Sequence, residues 1–166
     1  MKKRSRLMSC TAIMMIVVML ASVNVAFAGI TRTVVDLDAK GRTQQITETH
    51  DRRKLSDQSF SKADLNTQAK CVAVVNKFAG IPESEIPWYA SQITSGFRNM
   101  IFEASGLGVA TRVTVTSQKI NVFHYDTVTK KKTLLRTTEK INYNLYKGGK
   151  LYKTTKLTCD QAWGSK

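Results

Sequence analysis

The chain has few of the residues on which most enzymes depend. It contains 2 histidines and 3 cysteines in 166 residues, and 12 acidic side chains against 26 basic ones. The motifs G-x-S-x-G, H-E-x-x-H, G-x-G-x-x-G and the P-loop are absent, which argues against the hydrolases, zinc proteases and nucleotide-binding enzymes that carry them. No second cysteine or histidine stands at ligand spacing from a cysteine, so the sequence predicts neither a metal site nor a cofactor.

The two histidines allow one catalytic interpretation. His124 lies in an alternating stretch and is the best available general base for a small secreted hydrolase such as a nuclease. His50 lies in a polar stretch, and nothing in the sequence brings the two histidines together. We therefore expect two separate surface histidines, and a protein that is not an enzyme.

The first 28 residues have the three-part pattern of a cleavable signal peptide. Basic residues precede an apolar run, and Ala26-Phe27-Ala28 then places small side chains where signal peptidase requires them. Cleavage between Ala28 and Gly29 would deliver the rest of the chain to the periplasm or the extracellular space. It would also leave no segment predicted to span a membrane.

Two alternatives to cleavage stay open. The apolar stretch is long enough to remain as a membrane anchor. Leu7-Met8-Ser9-Cys10 resembles a lipobox, although it precedes the apolar run instead of following it.

Cleavage would leave an even pair of cysteines, Cys71 and Cys159. In an oxidising compartment such a pair is expected to form a disulfide. A reactive thiol is the alternative for either residue.

The periodicity predicts an α+β fold: two helices packed on one face of a roughly four-stranded antiparallel meander. Residues 1–28 are the signal peptide, residues 29–58 a polar arm or short hairpin, and residues 59–166 a single domain. The predicted helices are 61–79 and 87–105, and the predicted strands are 109–117, 119–125, 133–146 and 151–159.

The first helix has a capping-box pattern at Ser61–Asp64, and Gly80 with Pro82 predicts its end. Its apolar stripe is Leu65, Ala69, Val72, Val75 and Ala79. The second helix has the apolar stripe Tyr89, Ile93, Phe97, Met100, Ile101 and Ala104. Gly96 interrupts this second pattern and indicates close packing against a neighbour.

Two hairpins are predicted from turn residues. Thr31–Leu37 and Thr43–Thr49 can pair around Asp38–Gly41. At the other end of the chain, Gly148-Gly149 separates two runs whose apolar residues are all odd-numbered. A loop with an odd number of residues would put the apolar residues of both runs, and Cys159, on the inner face, so we predict an odd-length loop.

The positive charge is concentrated in the second half of the chain. Residues 106–166 carry twelve basic and three acidic side chains. Several cations and two tyrosines share even-numbered positions of the predicted strands. The predicted binding residues are Arg112, Arg136, Lys140, Lys150, Lys156, Tyr146 and Tyr152.

Such a face would attract acidic partners. The expected partner is an acidic protein or an anionic polymer or lipid of the envelope. Nucleic acid has less support, because no recognised motif accompanies the two tyrosines. The structural alternative is a solvated sheet face whose lysines discourage aggregation at the sheet edge.

The sequence therefore favours an exported basic binding protein, for example an inhibitor or immunity-type protein. The secreted hydrolase is one alternative, and an accessory component of an envelope or secretion assembly is another.

Overall fold

The structure, a computed structural model, describes the backbone of residues 23–27 and the whole of residues 29–163. The rest of the predicted leader, with the cleavage residue Ala28, lies outside the described residues. The elements, in chain order, are β1 (Val23–Phe27), β2 (Ile30–Asp36), β3 (Thr43–His50), β4 (Arg53–Phe60), α1 (Gln68–Glu85), α2 (Ala90–Gly106), β5 (Thr111–Asp126), β6 (Lys132–Lys147) and β7 (Lys150–Ala162).

The hydrogen-bonded order of the strands is β1-β2-β3-β5-β6-β7, and β4 pairs with β5. The fold class is α+β, as predicted, with two α-helices and seven strands among the described residues. In this part of the chain, neither α-helix has the length and apolar character needed to cross a bilayer.

The chain divides into two compact units. Among the described residues, the strand unit contains residues 23–27, 29–50, 120–137 and 162–163, and the helix unit contains residues 51–119 and 138–161. This division differs from the predicted boundary between residues 58 and 59, because Arg53–Phe60 is a strand of the helix unit.

The strand unit contains the predicted N-terminal hairpin. β2 and β3 are antiparallel, with Val34 opposite Ile46. The carboxylate of Asp38 accepts hydrogen bonds from the backbone N–H groups of Lys40 and Arg42, which closes the turn between the two strands. On its other side β2 pairs with β1, so the last residues of the predicted leader form a strand in this structure.

The helix unit contains the apolar core. Phe78 of α1 and Phe97 of α2 are fully buried and stack with their ring centroids 3.9 Å apart. The hydroxyl of Tyr143, on β6, donates to the carbonyl oxygen of Ile93 at 2.9 Å. A Cβ atom at Gly96 would come within 2.5 Å of that hydroxyl, which confirms that Gly96 marks a close approach.

The apolar stripe of α2 is confirmed, whereas the stripe predicted for the first helix is confirmed at Leu65 and Val75 and wrong at Ala69 and Val72, which are exposed. The buried residues of α1 are Cys71, Val75, Phe78 and Pro82. Val72 is 37% exposed, because the larger ring of Phe78 takes the core position that Ala79 was predicted to occupy.

The boundaries of α1 also differ from the prediction. The capping box at Ser61–Asp64 begins a short 3-10 turn, and α1 itself begins after Thr67, whose hydroxyl accepts from the N–H of Lys70 at 3.4 Å. The helix passes through Pro82 to Glu85. Proline removes one backbone donor there, but Pro82 and the following Ile86 are buried, and this burial offsets the loss.

The first two predicted meander strands form one strand, β5. Its first part pairs with β4 as far as Ser117, and its second part pairs with β3 from Ile120. The predicted break between residues 117 and 119 is the place where β5 changes its pairing partner. The meander therefore has three strands, β5, β6 and β7, instead of four.

The last hairpin has a two-residue turn, so the predicted odd-length loop is wrong. Gly148 and Gly149 connect the strands with φ values of 55° and 77°, which suit the left-handed turn that glycine permits. Leu145 and Cys159 are nevertheless both buried, as predicted, whereas Leu151 is 57% exposed. A regular two-residue hairpin would place these odd-numbered sets on opposite faces, so an additional residue must be accommodated in one strand.

Candidate binding surface

The helix unit has a sheet surface that faces away from its apolar core. Asn144 Nδ2 donates to Thr114 Oγ1 at 3.4 Å, and Thr154 Oγ1 donates to Asn144 Oδ1 at 2.9 Å, which connects β5, β6 and β7 on this side. Because side chains alternate along a strand, the neighbouring even-numbered residues share it. We call this surface the open face, formed by the even-numbered residues of 112–116, 140–146 and 154–158.

Lysines on the open face are exposed and have no ion pair in the described part of the chain. They are Lys140 on β6 and Lys156 on β7. Lys150, at the turn end of β7, is also exposed. Unpaired ammonium groups on one surface raise the local concentration of anions.

The acidic residues of this half of the chain compensate little of that charge. Glu139 is 2% exposed and faces inward, where it accepts a hydrogen bond from the hydroxyl of Ser117 and lies 3.9 Å from Arg53. Asp160, near the end of β7, accepts from the hydroxyl of Thr138. The middle of the open face therefore stays positive.

Arg112 lies at one edge of the open face and is already paired. Its guanidinium donates to both carboxylate oxygens of Asp57 at 2.7 Å, and Lys54 contacts the same carboxylate at 2.9 Å. The Arg112 guanidinium, followed by the Lys54 ammonium, holds the pKa of Asp57 far below its usual range. Arg112 and Lys54 share the Asp57 carboxylate, so these three side chains together carry one net positive charge.

Sequence reasoning did not find this cluster, because β4 was assigned to a polar arm. The register of β4 shifts between Lys54 and Ser56, and Leu55 and Ser56 are both buried. This bulge removes the strict alternation that signals a strand.

A cavity of about 530 Å³ adjoins Arg112. Phe60 and Tyr146 line it, together with Gly148 and Gly149. The guanidinium of Arg112 lies 5.7 Å from the centre of the Tyr146 ring. The cavity thus offers aromatic surface and a cation at one end of the open face.

The other predicted binding residues are distributed as follows. Tyr152 on β7 is 52% exposed, two residues from Thr154. Arg136 is exposed on the part of β6 that belongs to the strand unit. The structure therefore joins Arg112 and Tyr146, places two of the lysines on the same open face, and assigns Arg136 to the other unit.

His124 lies on β5 in the strand unit, opposite Gln45. The Asp126 carboxylate, two residues along the strand, accepts from the N–H groups of Val128 and Thr129 and so caps its own turn. His50 contacts the Asn121 side chain at 3.5 Å. Among the described residues, none of these contacts gives His124 a catalytic partner.

The predicted disulfide is wrong, because Cys71 and Cys159 are both free and buried. The Cys71 sulfur faces the carbonyl oxygen of Leu65 at 3.6 Å, before the start of α1, whereas the Cys159 sulfur faces the Gln92 side chain at 3.5 Å, in the first turn of α2. Burial, with smaller contributions from nearby carboxylates, raises the pKa of Cys159 to about 11. Each thiol faces the interior, as expected, but the two face different segments.

Residues 29–163 contain no group of three or more histidine, cysteine, aspartate or glutamate side chains placed to hold a metal ion. Comparison with known proteins found no matching family model, curated protein or solved structure.

Proposed function

We propose that this chain is an exported binding protein whose open face contacts an acidic macromolecule. The observation that carries the proposal is the pair Lys140 and Lys156, which are exposed and have no ion pair among the described residues, while Glu139 beside Lys140 in the chain is turned inward. The cavity beside Arg112 and Tyr146 supplies a recess at one end of the same face.

The partner is an acidic protein or an anionic polymer or lipid of the envelope. An acidic protein would fit an inhibitor or immunity-type role, since opposite charges accelerate association. Nothing in the contacts of His124 favours a hydrolase over this function.

Retention on immobilised heparin tests the open face. The variant Lys140→Glu/Lys156→Glu reverses two charges there, and Lys62→Glu/Lys77→Glu reverses two exposed lysines of the helical segments. We expect the wild type and the helical variant to elute at similar salt, and the open-face variant to elute much earlier. Equal shifts in the two variants would show that net charge alone governs retention and would contradict the proposal.

Arg112 is unsuitable for this test, although its position suits binding. Reversing it would remove the bidentate partner of Asp57 and place a second carboxylate beside that residue, and so change the fold as well as the surface. The wild type and the open-face variant should instead serve as matched baits against envelope extracts of the native host. A genuine partner is acidic and is captured by the wild type alone.

Export depends on removal of the leader. Mass spectrometry of the protein recovered outside the cytoplasm should find Gly29 at the amino terminus, and Ala28→Arg should block this processing because signal peptidase requires a small residue there. Finding intact Met1 on a cytosolic protein would contradict export. Cleavage would also remove β1 and leave β2 as the outer strand.

A further inference from the structure

The strand β7 lies at the end of the hydrogen-bonded strand order. One of its sides pairs with β6, and the other has no strand beside it among the described residues. β7 contains 13 residues, so this side is about 43 Å long at the usual rise per residue. Exposed strand edges of this length are templates for pairing with another chain.

The backbone groups on the outer side of β7 can be identified. The N–H of Trp163, directly after β7, donates to the carbonyl oxygen of Leu135 on β6 at 2.8 Å. Because backbone groups alternate in direction along a strand, the N–H and C=O groups of odd-numbered residues point towards β6 in the part of β7 from Thr154 onward, beyond the additional residue, and those of even-numbered residues point outward.

A side-chain contact agrees with this assignment. The hydroxyl of Tyr89 donates to the carbonyl oxygen of Asp160, an even-numbered residue. Thr154, Lys156 and Thr158 are all exposed. Their N–H and C=O groups are therefore the ones available to an additional strand.

The charge of β7 determines which side chains an additional strand must carry. Lys150, Lys153 and Lys156 are the basic residues of β7, and Asp160 is its single acidic residue. Lys153 is paired with Glu103 at 2.7 Å, which leaves the other two ammonium groups for a partner. A second copy of this chain would bring lysines against lysines, and like charges on neighbouring strands are destabilising.

The two faces of β7 differ in character. Lys156 lies on the open face between Thr154 and Thr158, whereas Leu157 on the opposite face packs against the apolar core. A strand that suits both faces has acidic side chains on one side and apolar side chains on the other. With the period of two that strands have, its acidic and apolar residues alternate.

We propose that β7 accepts an extended acidic segment of the partner as an additional strand, with carboxylates towards Lys156 and apolar side chains towards Leu157. This inference rests on the proposed function, because it specifies how the acidic partner binds. Main-chain hydrogen bonds supply affinity in such strand addition, and the alternating side chains supply specificity.

A synthetic peptide pair tests the backbone requirement. The first peptide has nine alternating glutamate and valine residues, and the second is its fully N-methylated analogue, which has the same charge and no N–H donors. We expect the wild-type chain to bind the first peptide at least about tenfold more tightly, because the analogue forms no strand ladder. Equal binding of the two peptides would overturn strand addition while leaving electrostatic binding intact.

A variant pair tests the position. Thr158→Pro removes one outward N–H from β7, whereas Thr158→Val keeps it at the same place. We expect the proline variant to bind the acidic peptide about fivefold more weakly, with heparin retention and thermal stability unchanged, and the valine variant to bind like the wild type. Unchanged peptide binding by Thr158→Pro would overturn the proposal.

The failures of the two proposals are distinguishable. If the open-face proposal fails, Lys140→Glu/Lys156→Glu leaves heparin retention unchanged. If only strand addition fails, that variant loses retention while the two peptides bind equally. Concentration-dependent dimerisation of the wild type, blocked by Thr158→Pro, would show that the edge pairs with its own copy and would overturn the acidic partner.

Discussion

The helix unit and the strand unit are stabilised by different kinds of interaction. Most of the fully buried side chains of the helix unit are apolar, and Phe78, Phe97 and Ile93 have no exposed surface. In the strand unit, Glu48 is 8% exposed and accepts from Arg32 at 2.7 Å and from Lys132 at 2.8 Å. The comparison shows that large apolar side chains fill the interior of one unit, whereas in the other a buried carboxylate with two ion pairs occurs together with smaller apolar residues such as Ile46 and Val122.

The largest expected effect is in the apolar core. Phe97→Ala removes a fully buried ring that stacks on Phe78, and we expect it to lower the free energy of unfolding by about 3–5 kcal/mol. Denaturant titration followed by circular dichroism measures this loss. Val128→Ala, at a residue 70% exposed, should change stability by less than about 0.5 kcal/mol. A comparable loss in both variants would contradict the assignment of the core.

Substitution of two glycines by alanine tests the packing of the helix unit further. Gly96→Ala would place a methyl group 2.5 Å from the Tyr143 hydroxyl, and we expect a loss of about 1–3 kcal/mol from the overpacking. Gly80→Ala lies in α1 with no atom within 4 Å of the added methyl group, and we expect a gain of up to about 1 kcal/mol because alanine favours helix. Thermal unfolding of the two variants should shift in opposite directions, and shifts of the same sign would contradict the packing described.

The strand unit should instead respond to pH. Burial opposes ionisation of Glu48, but its hydrogen bonds to Lys132 and Arg32 outweigh that effect and lower its pKa below the ordinary 4.5. The carboxylate therefore stabilises the folded state above about pH 4.5, and this contribution is lost as the pH falls through the lowered pKa. We expect Glu48→Gln to cost about 1–2 kcal/mol at pH 7 and much less near pH 3.

Unfolding of Glu48→Gln and the wild type at the two pH values measures this difference. Glu83→Gln, at an exposed position of α1, is the control and should leave the stability unchanged at both. A Glu48→Gln deficit that stays constant with pH would show that the ion pairs contribute nothing beyond packing.

The sequence predicted the fold where one period continued without interruption. The stripe through Ile93, Phe97 and Met100 identified the buried side of α2, because large apolar residues recur there at helical spacing. The stripe predicted for α1 was partly misplaced, because alanine and valine occur at several positions of this helix and fit more than one helical face equally well. Thus the volume of Phe78, and not periodicity, determined which side of α1 is buried.

Strand pairing over long distances in the chain could not be predicted. The change of partner along β5 depends on β3 and β4, which are more than 50 residues earlier in the sequence. The same limit applied to the candidate site. The even-numbered pattern predicted Arg112 and Lys156 as binding residues. It did not predict that Asp57 pairs with Arg112, because the bulge in β4 removes the alternation that signals a strand.

The two buried thiols provide a way to time local opening of the helix unit. A cysteine reacts with an alkylating reagent only as the thiolate and only when the reagent reaches it, so a sulfur 1% or 2% exposed is modified during transient opening. Cys71 would report on the start of α1 and Cys159 on β7. Mass spectrometry of each labelled site over time would therefore give two separate opening rates from the unmodified chain, and an added strand along β7 should slow the labelling of Cys159 in particular.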